Sequence, residues 1–215
     1  LAATDIDKGK PVKAYIDEIR KAGERSAGLT KQLLAFSRRQ IFNPEVTNLN
    51  DLISGLENML VPMIGQHIYI QMRLSPNLSS VMVDRAQIEQ VVMNMVVNSR
   101  DAMSGGGNVV LATADVYIDE SAASSQPGLN VGSYVTFTVS DNGAGIPHEV
   151  LSHMFEPFYT SKELGKGTGL GLSMSHGIVA QSGGYIAVKS ALGQGTTFTV
   201  YLPAVDGIAE NTTAG

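Results

Sequence analysis

Gly165-Lys166-Gly167-Thr168-Gly169-Leu170-Gly171-Leu172 puts glycine at four alternate positions and then runs straight into a helical pattern starting near Leu170. Successive backbone N–H groups at a helix N-terminus form an anion cradle, and glycines let a phosphate come close. The stretch is not a Walker loop, because no Gly-Lys-Ser/Thr follows four residues after a first glycine. Two more glycine turns flank it: Asp141-Asn142-Gly143-Ala144-Gly145 upstream and Gly193-Gln194-Gly195-Thr196 downstream. A single Gly-x-Gly commonly just permits a turn. Three of them, downstream of a helix bearing Asn94 and Asn98, make a nucleotide site.

Composition bounds the rest. At 215 residues the chain is long enough for one substantial domain plus an appendage. Its 43% apolar and 16% charged residues suit a packed protein and exclude disorder as the general state. No apolar run approaches the roughly 20 residues that span a bilayer, and no secretory leader is legible, so no membrane contact is expected from this stretch. The absence of cysteine removes disulfides, thiolate catalysis and cysteine zinc sites, and agrees with a cytoplasmic location, with any anchor lying upstream. A net charge of −5 argues against nucleic acid as a partner. The Asn211-Thr212-Thr213 sequon reads as chance.

Pro11 suits the first turn of a helix, and from there to about Arg39 apolar and small residues recur at spacings of three and four. The stripe Val12, Ile16, Ile19, Gly23, Ser26, Leu29 or Thr30, Leu33 and Phe36 is the seam of a coiled coil or helical bundle that needs a partner to cover it. Asn43-Pro44 ends that pattern. Leu49 to Leu60 reads as an amphipathic helix with Asn50 as a candidate cap, and Ile68 to Leu74 as a strand. Asp84 to Met103 is helical, with Ile88, Val91, Val92, Met95, Val96, Ser99 and Ala102 on the buried side. Val109 to Tyr117 and Tyr134 to Ser140 are strands joined by a loop over 119–132; Leu170 to Ser182 is a helix; Tyr185 to Ser190 and Thr196 to Leu202 are strands. The small, polar tail after Pro203 reads as disorder or linker.

Asn94 and Asn98 fall next to each other on α-helical spacing, about a third of a turn from the apolar stripe. Either alone fits a surface amide. Together they fit neutral oxygen ligands for a Mg²⁺ that also takes nucleotide phosphates. Asp141, at a strand end before a glycine turn, fits an acceptor for an exocyclic amine; the same letters also describe a plain turn. Between the glycine boxes, Phe155-Glu156-Pro157-Phe158-Tyr159-Thr160-Ser161-Lys162 suggests a hinge, with Lys162 and Lys166 as the basic side chains on that side.

In order, Asn94/Asn98, Asp141 to Gly145, Phe155 to Lys162 and Gly165 to Leu172 resemble the asparagine, first glycine, phenylalanine and second glycine boxes of two-component sensor histidine kinases. Gly193 to Thr196 resembles the last glycine box, and Leu29 to Gln40 the second helix of the kinase dimerisation domain. The match runs from about Pro11 to Pro203 and is similar to the hybrid-type branch, in which soluble sensor modules precede the kinase core and a receiver domain can follow.

The resemblance implies a two-layer α/β sandwich of the Bergerat type, a mixed sheet plus three helices, preceded by a long bundle helix. It implies residues 1–42 as part of the dimerisation hairpin, 43–204 as the catalytic ATP-binding domain and 205–215 as a tail or linker. The implied cofactors are ATP and Mg²⁺. Asp141 would bind the adenine amine, Asn98 would ligate the metal with Asn94 in support, and Thr196 would sit near the base. Lys162 and the glycine backbone would hold phosphates. The nucleotide-contacting set further includes Gly143, Gly145, Ile146, Lys166, Gly167, Thr168, Gly169, Leu170, Gly171 and Leu172. Where many members carry Lys or Arg three residues after the magnesium Asn, this chain has Asp101, which leaves Arg100 as a weak candidate for phosphate contact.

The same fold serves ATPases such as DNA gyrase and MutL-type repair proteins, which place a water-activating Glu where this chain has Asn94. An amide cannot act as a general base, so Asn94 argues for transfer to an imidazole. The nearest carboxylate upstream on the helix, Glu89, should point elsewhere. His67, His148 and His153 are expected to face solvent and His176 to be packed in a core-facing helix; none has the context of an acceptor. The reading is therefore a kinase core whose acceptor histidine lies upstream, which passes phosphate on to an aspartate of a response regulator or receiver domain and dimerises through its helical bundle. The alternatives are a GHKL-type ATPase and a nucleotide-binding regulatory pseudokinase.

Overall fold

The computed structural model describes residues 42–126, 128–160 and 167–205, together with Ile16, Asp17, Arg20 and Gly23. The chain divides into two compact units, Leu1–Ile41 with Ser161–Thr168, and Phe42–Thr160 with Gly169–Gly215. In the first unit the four described residues before residue 42 are helical, with an exposed Arg20–Asp17 pair at 3.9 Å one turn apart. The remainder of the expected bundle seam, and the tail over 206–215, lie outside the described residues.

In the second unit, strict alternation builds the sheet. Val135, Phe137 and Val139 on one strand and Phe198, Val200 and Leu202 on another are all fully or almost fully buried, so each strand turns one face inward. The strands are β1 (Glu45–Thr47), β2 (Ile68–Arg73), β3 (Ser80–Val83), β4 (Gly107–Ile118), β5 (Gly132–Asp141), β6 (Tyr185–Ser190) and β7 (Thr196–Val205). They form one seven-stranded sheet in the order β1-β3-β7-β5-β4-β2, with β6 added to β7. The β2–β4 pair is parallel and the others antiparallel, so the sheet is mixed.

Helices α1 (Leu49–Gly55), α2 (Glu57–Ile64), α3 (Arg85–Asp101) and α6 (Gly171–Gln181) form the second layer, with α3 packed between α1/α2 and α6. One cluster joins Leu52, Ile53, Leu60, Val91, Met95 and Val179 to Leu111, Phe137 and Val200 of the sheet. Each such side chain, once buried, is worth about 1.5–3 kcal/mol in transfer from water. The outer face of the sheet carries a smaller cluster of Ile118, Leu129 and Tyr134 with Tyr185 and Tyr201. Two short helices, α4 (Glu120–Ser125) and α5 (His148–Leu151), lie in connections.

The two-layer sandwich agrees with the expectation; several local details do not. The helix read over Leu49 to Leu60 is split at Leu56 into α1 and α2. Its cap is Asn48, whose side chain accepts from the Asn50 N–H at 2.9 Å. Asn50 instead spans to other segments, donating to the Ser75 carbonyl at 2.8 Å and accepting from Thr113 Oγ1 at 2.7 Å. The loop over 119–132 contains α4, capped by Asp119, which accepts from the Ala122 N–H at 2.8 Å. Strand β7 runs past Pro203 to Val205, because Ala204 and Val205 pair with Val81 and Ser80 of β3.

Candidate nucleotide site

Asp141 closes β5, and its carboxylate is held from three directions. Oδ1 accepts from the Gly143 N–H at 2.9 Å and the Thr196 N–H at 3.2 Å, and Oδ2 accepts from Ser99 Oγ at 2.8 Å. The donors come from the turn after β5, the start of β7 and the buried side of α3. Hydrogen bonds to an ionised acceptor are about twice as strong as neutral ones, so this set fixes the carboxylate firmly.

From Thr196 the network continues. Ser190 Oγ donates to the Gly195 carbonyl at 2.9 Å, which commits its one proton. It therefore accepts from the Ile146 N–H at 2.8 Å and from the Thr196 hydroxyl at 2.9 Å. Gly195 has φ +80, and a Cβ there would run into the Asp141 carbonyl; Gly145 has φ +71, and a Cβ there would run into the Ala191 carbonyl. Left-handed backbone pressed against a carbonyl is open to glycine alone. The Gly193 N–H donates to the Ala144 carbonyl at 2.8 Å and the Ala144 N–H to Ala102 at 3.0 Å, so both turns are tied to each other and to the end of α3. Asp141, Gly143, Gly145, Ile146 and Thr196 are thus brought together.

Asn94 and Asn98 are both half-buried on α3. Asn94 Nδ2 donates to the Gly171 carbonyl at 3.2 Å and to Ser175 Oγ at 3.3 Å. Ser175 is fully buried and itself donates to Gly171 O at 2.9 Å. Asn94 thereby pins the first turn of α6 to α3. That turn has Leu170 as N-cap with no side-chain cap hydrogen bond, which leaves its first N–H groups without an intrahelical partner. Leu170 is buried, Leu172 packs on the main core, and the Gly169 carbonyl accepts from the Phe158 N–H at 3.0 Å. Gly167 and Thr168 group with the first unit, and Lys162 and Lys166 lie outside the described residues.

Arg100 is turned to other work. Its Nη1 donates to the Met63 carbonyl at 3.1 Å, while Nε and Nη2 bond Asp101 Oδ1 at 2.9 and 2.7 Å. It braces the end of α2. Glu89 accepts from Arg85 at 3.1 Å, one turn back on α3, as its position implied. His67, His148 and His153 are exposed as expected. His176 is also exposed, against expectation: Ser175, Ile178 and Val179 form the buried stripe of α6, and the imidazole lies 5.2 Å from the Phe155 ring.

Sequence reasoning placed Ser99 in the core and passed over Ser190, yet both hold the site. The available signal was a hydroxyl on an otherwise apolar stripe, which needs a buried partner. A neutral amide oxygen at Asn98 fits Mg²⁺, which prefers a few protein oxygens together with nucleotide phosphates over an all-protein cage.

Residues 83–206 match the family of histidine kinase-, DNA gyrase B-, and HSP90-like ATPases. The chain belongs to that family. Its relatives within these ATPases include the sensor kinase CckA of Brucella abortus (strain 2308), 45% identical over 203 residues, which cover 94% of this chain and 22% of CckA. The solved catalytic domain of histidine kinase ThkA is 28% identical with a TM-score of 0.58, covering 75% of this chain and 96% of that one. ThkA solved in complex with response regulator protein TrrA is 24% identical with a TM-score of 0.65, covering 91% and 52%. Full-length ShkA in complex with AMPPNP shares the fold at 23% identity and a TM-score of 0.69, over 92% of this chain and 40% of ShkA. The chain spans less than half the length of the curated relatives CckA, ZraS and NtrB that it matches.

Proposed function

We propose that the chain is the ATP-binding catalytic core of a two-component sensor histidine kinase. Its γ-phosphate goes to a histidine on a helix upstream of Leu1 and from there to an aspartate of a response regulator or receiver domain. The observation that carries this is the Asp141 carboxylate, an acceptor-only group fixed by Ser99, Gly143 and Thr196 at the meeting of two glycine turns. Such a group selects a donor, and the exocyclic amine of adenine is one. Asn98 would supply an amide oxygen to Mg²⁺, which would offset the charge of the phosphates. The α6 N-terminus, pinned by Asn94, and Lys162 with Lys166 hold the phosphates. Residues 1–42 belong to a dimerisation hairpin, 43–204 to the ATP-binding domain, and 205–215 to a tail, with homodimerisation through the helical bundle. The ShkA–AMPPNP and ThkA–TrrA complexes support the choice of nucleotide and partner.

Hydrolysis is the weaker reading. Asn94 offers water no base, and Glu89 is paired with Arg85. Binding of Mg-ATP to Asp141→Ala and Asn98→Ala tests the site: each should bind at least about tenfold more weakly than the parent, a loss of about 1.4 kcal/mol. Parental binding by both variants would show the assignment to be wrong. Steady phosphate release well above background would move the reading to an ATPase.

A further inference from the structure

Ser99 stands on the apolar stripe of α3 at 1% exposure, one residue beyond Asn98, where a small apolar side chain would pack as well. Its hydroxyl is, among the described residues, the side-chain donor to the Asp141 carboxylate, at 2.8 Å on Oδ2. Both backbone donors go to the other oxygen, Oδ1. The backbone bonds alone leave the carboxylate plane free to swing about the Oδ1 side; the third bond, from a different element, removes that freedom. Ser99 takes one lone pair of Oδ2, and a carboxylate oxygen has a second with which to accept.

We propose that Ser99 is a positioning residue that orients Asp141 Oδ2 toward the 6-amino group of the purine, and so contributes to selection of an aminopurine nucleotide. The inference rests on the assignment of Asp141 to the base. Ser99 touches no nucleotide in this scheme; it acts through the carboxylate.

The test compares Mg-ATP with the Mg complex of purine riboside triphosphate, which lacks the 6-amino group, by calorimetric titration of the 215-residue chain. Ser99→Ala should weaken ATP binding roughly three- to tenfold and leave the analogue unchanged, since the lost hydrogen bond matters only where an amine is received. Should Ser99→Ala fail to fold, Ser99→Cys keeps the volume with a weak donor and carries the same comparison. Equal weakening of both nucleotides, or no change in either, would overturn the positioning role. Asp141→Ala separates the two levels of the argument. If it erases the preference for ATP over the analogue while the Ser99 variants keep it, only the Ser99 inference fails. If it binds both nucleotides as the parent does, the base assignment itself is wrong.

Discussion

Asp141 and Gly195 are coupled through one close approach: the turn before β7 comes near enough to the end of β5 that no side chain fits between them. Gly195→Ala combines a φ of +80 with a clash against the Asp141 carbonyl, and should destabilise by more than about 1 kcal/mol. A lowered urea midpoint with an unchanged slope would register this. The variant should also lose ATP affinity, because the Thr196 N–H leaves the carboxylate. At this scale the glycines and Asp141 were legible, since their spacing is local. Ser99 and Ser190 were not, because Asp141, the partner of Ser99, lies 42 residues away, and Ser190, besides its near neighbours Gly195 and Thr196, holds Ile146, 44 residues away. A hydroxyl on an apolar stripe announces that a partner exists without saying which.

Between elements, the junction of α3 and α6 depends on few polar contacts. Asn94→Ala removes both bonds to the first turn of α6, each worth a net 0.5–1.5 kcal/mol or so. Amide exchange in Gly171–Gln181 should then accelerate by roughly tenfold, while the β5 amides stay as protected as before. A uniform acceleration across the domain would mean that Asn94 supports the whole fold. Asn48→Ala should cost about 1 kcal/mol through loss of the α1 cap. The long elements were readable because α3 and β5 carry many periods of their pattern. The strands β1 and β3, of 3 and 4 residues, were missed since so short a run holds no period to detect. The exposed His176 was misplaced for a related reason: α6 has only 11 residues, and its Ser-rich buried stripe is weakly apolar.

Across the domain, β5 lies in the middle of the sheet between β7 and β4, and Phe137 at its middle is fully buried. Phe137→Ala should cost about 3–5 kcal/mol, a large share of a domain stability of order 5–15 kcal/mol. A markedly lowered thermal midpoint would report it. The chain alone should bind Mg-ATP without acquiring acid-labile, base-stable phosphate, whereas a separate helix bearing an acceptor histidine should become phosphorylated in its presence. Labelling of the chain itself would contradict that. One feature of the sheet bears on how the protein is made. Strand β7 joins β3, β5 and β6, and also delivers Thr196 to Asp141. Of the described strands it is the last to be translated. Without it, β1 pairs only with β3, and β2, β4 and β5 form a second ribbon with no strand pairing between the two. Competence to take up nucleotide therefore arrives only once this strand has been made, and a stalled product that ends before Thr196 lacks the backbone donor that fixes the Asp141 carboxylate.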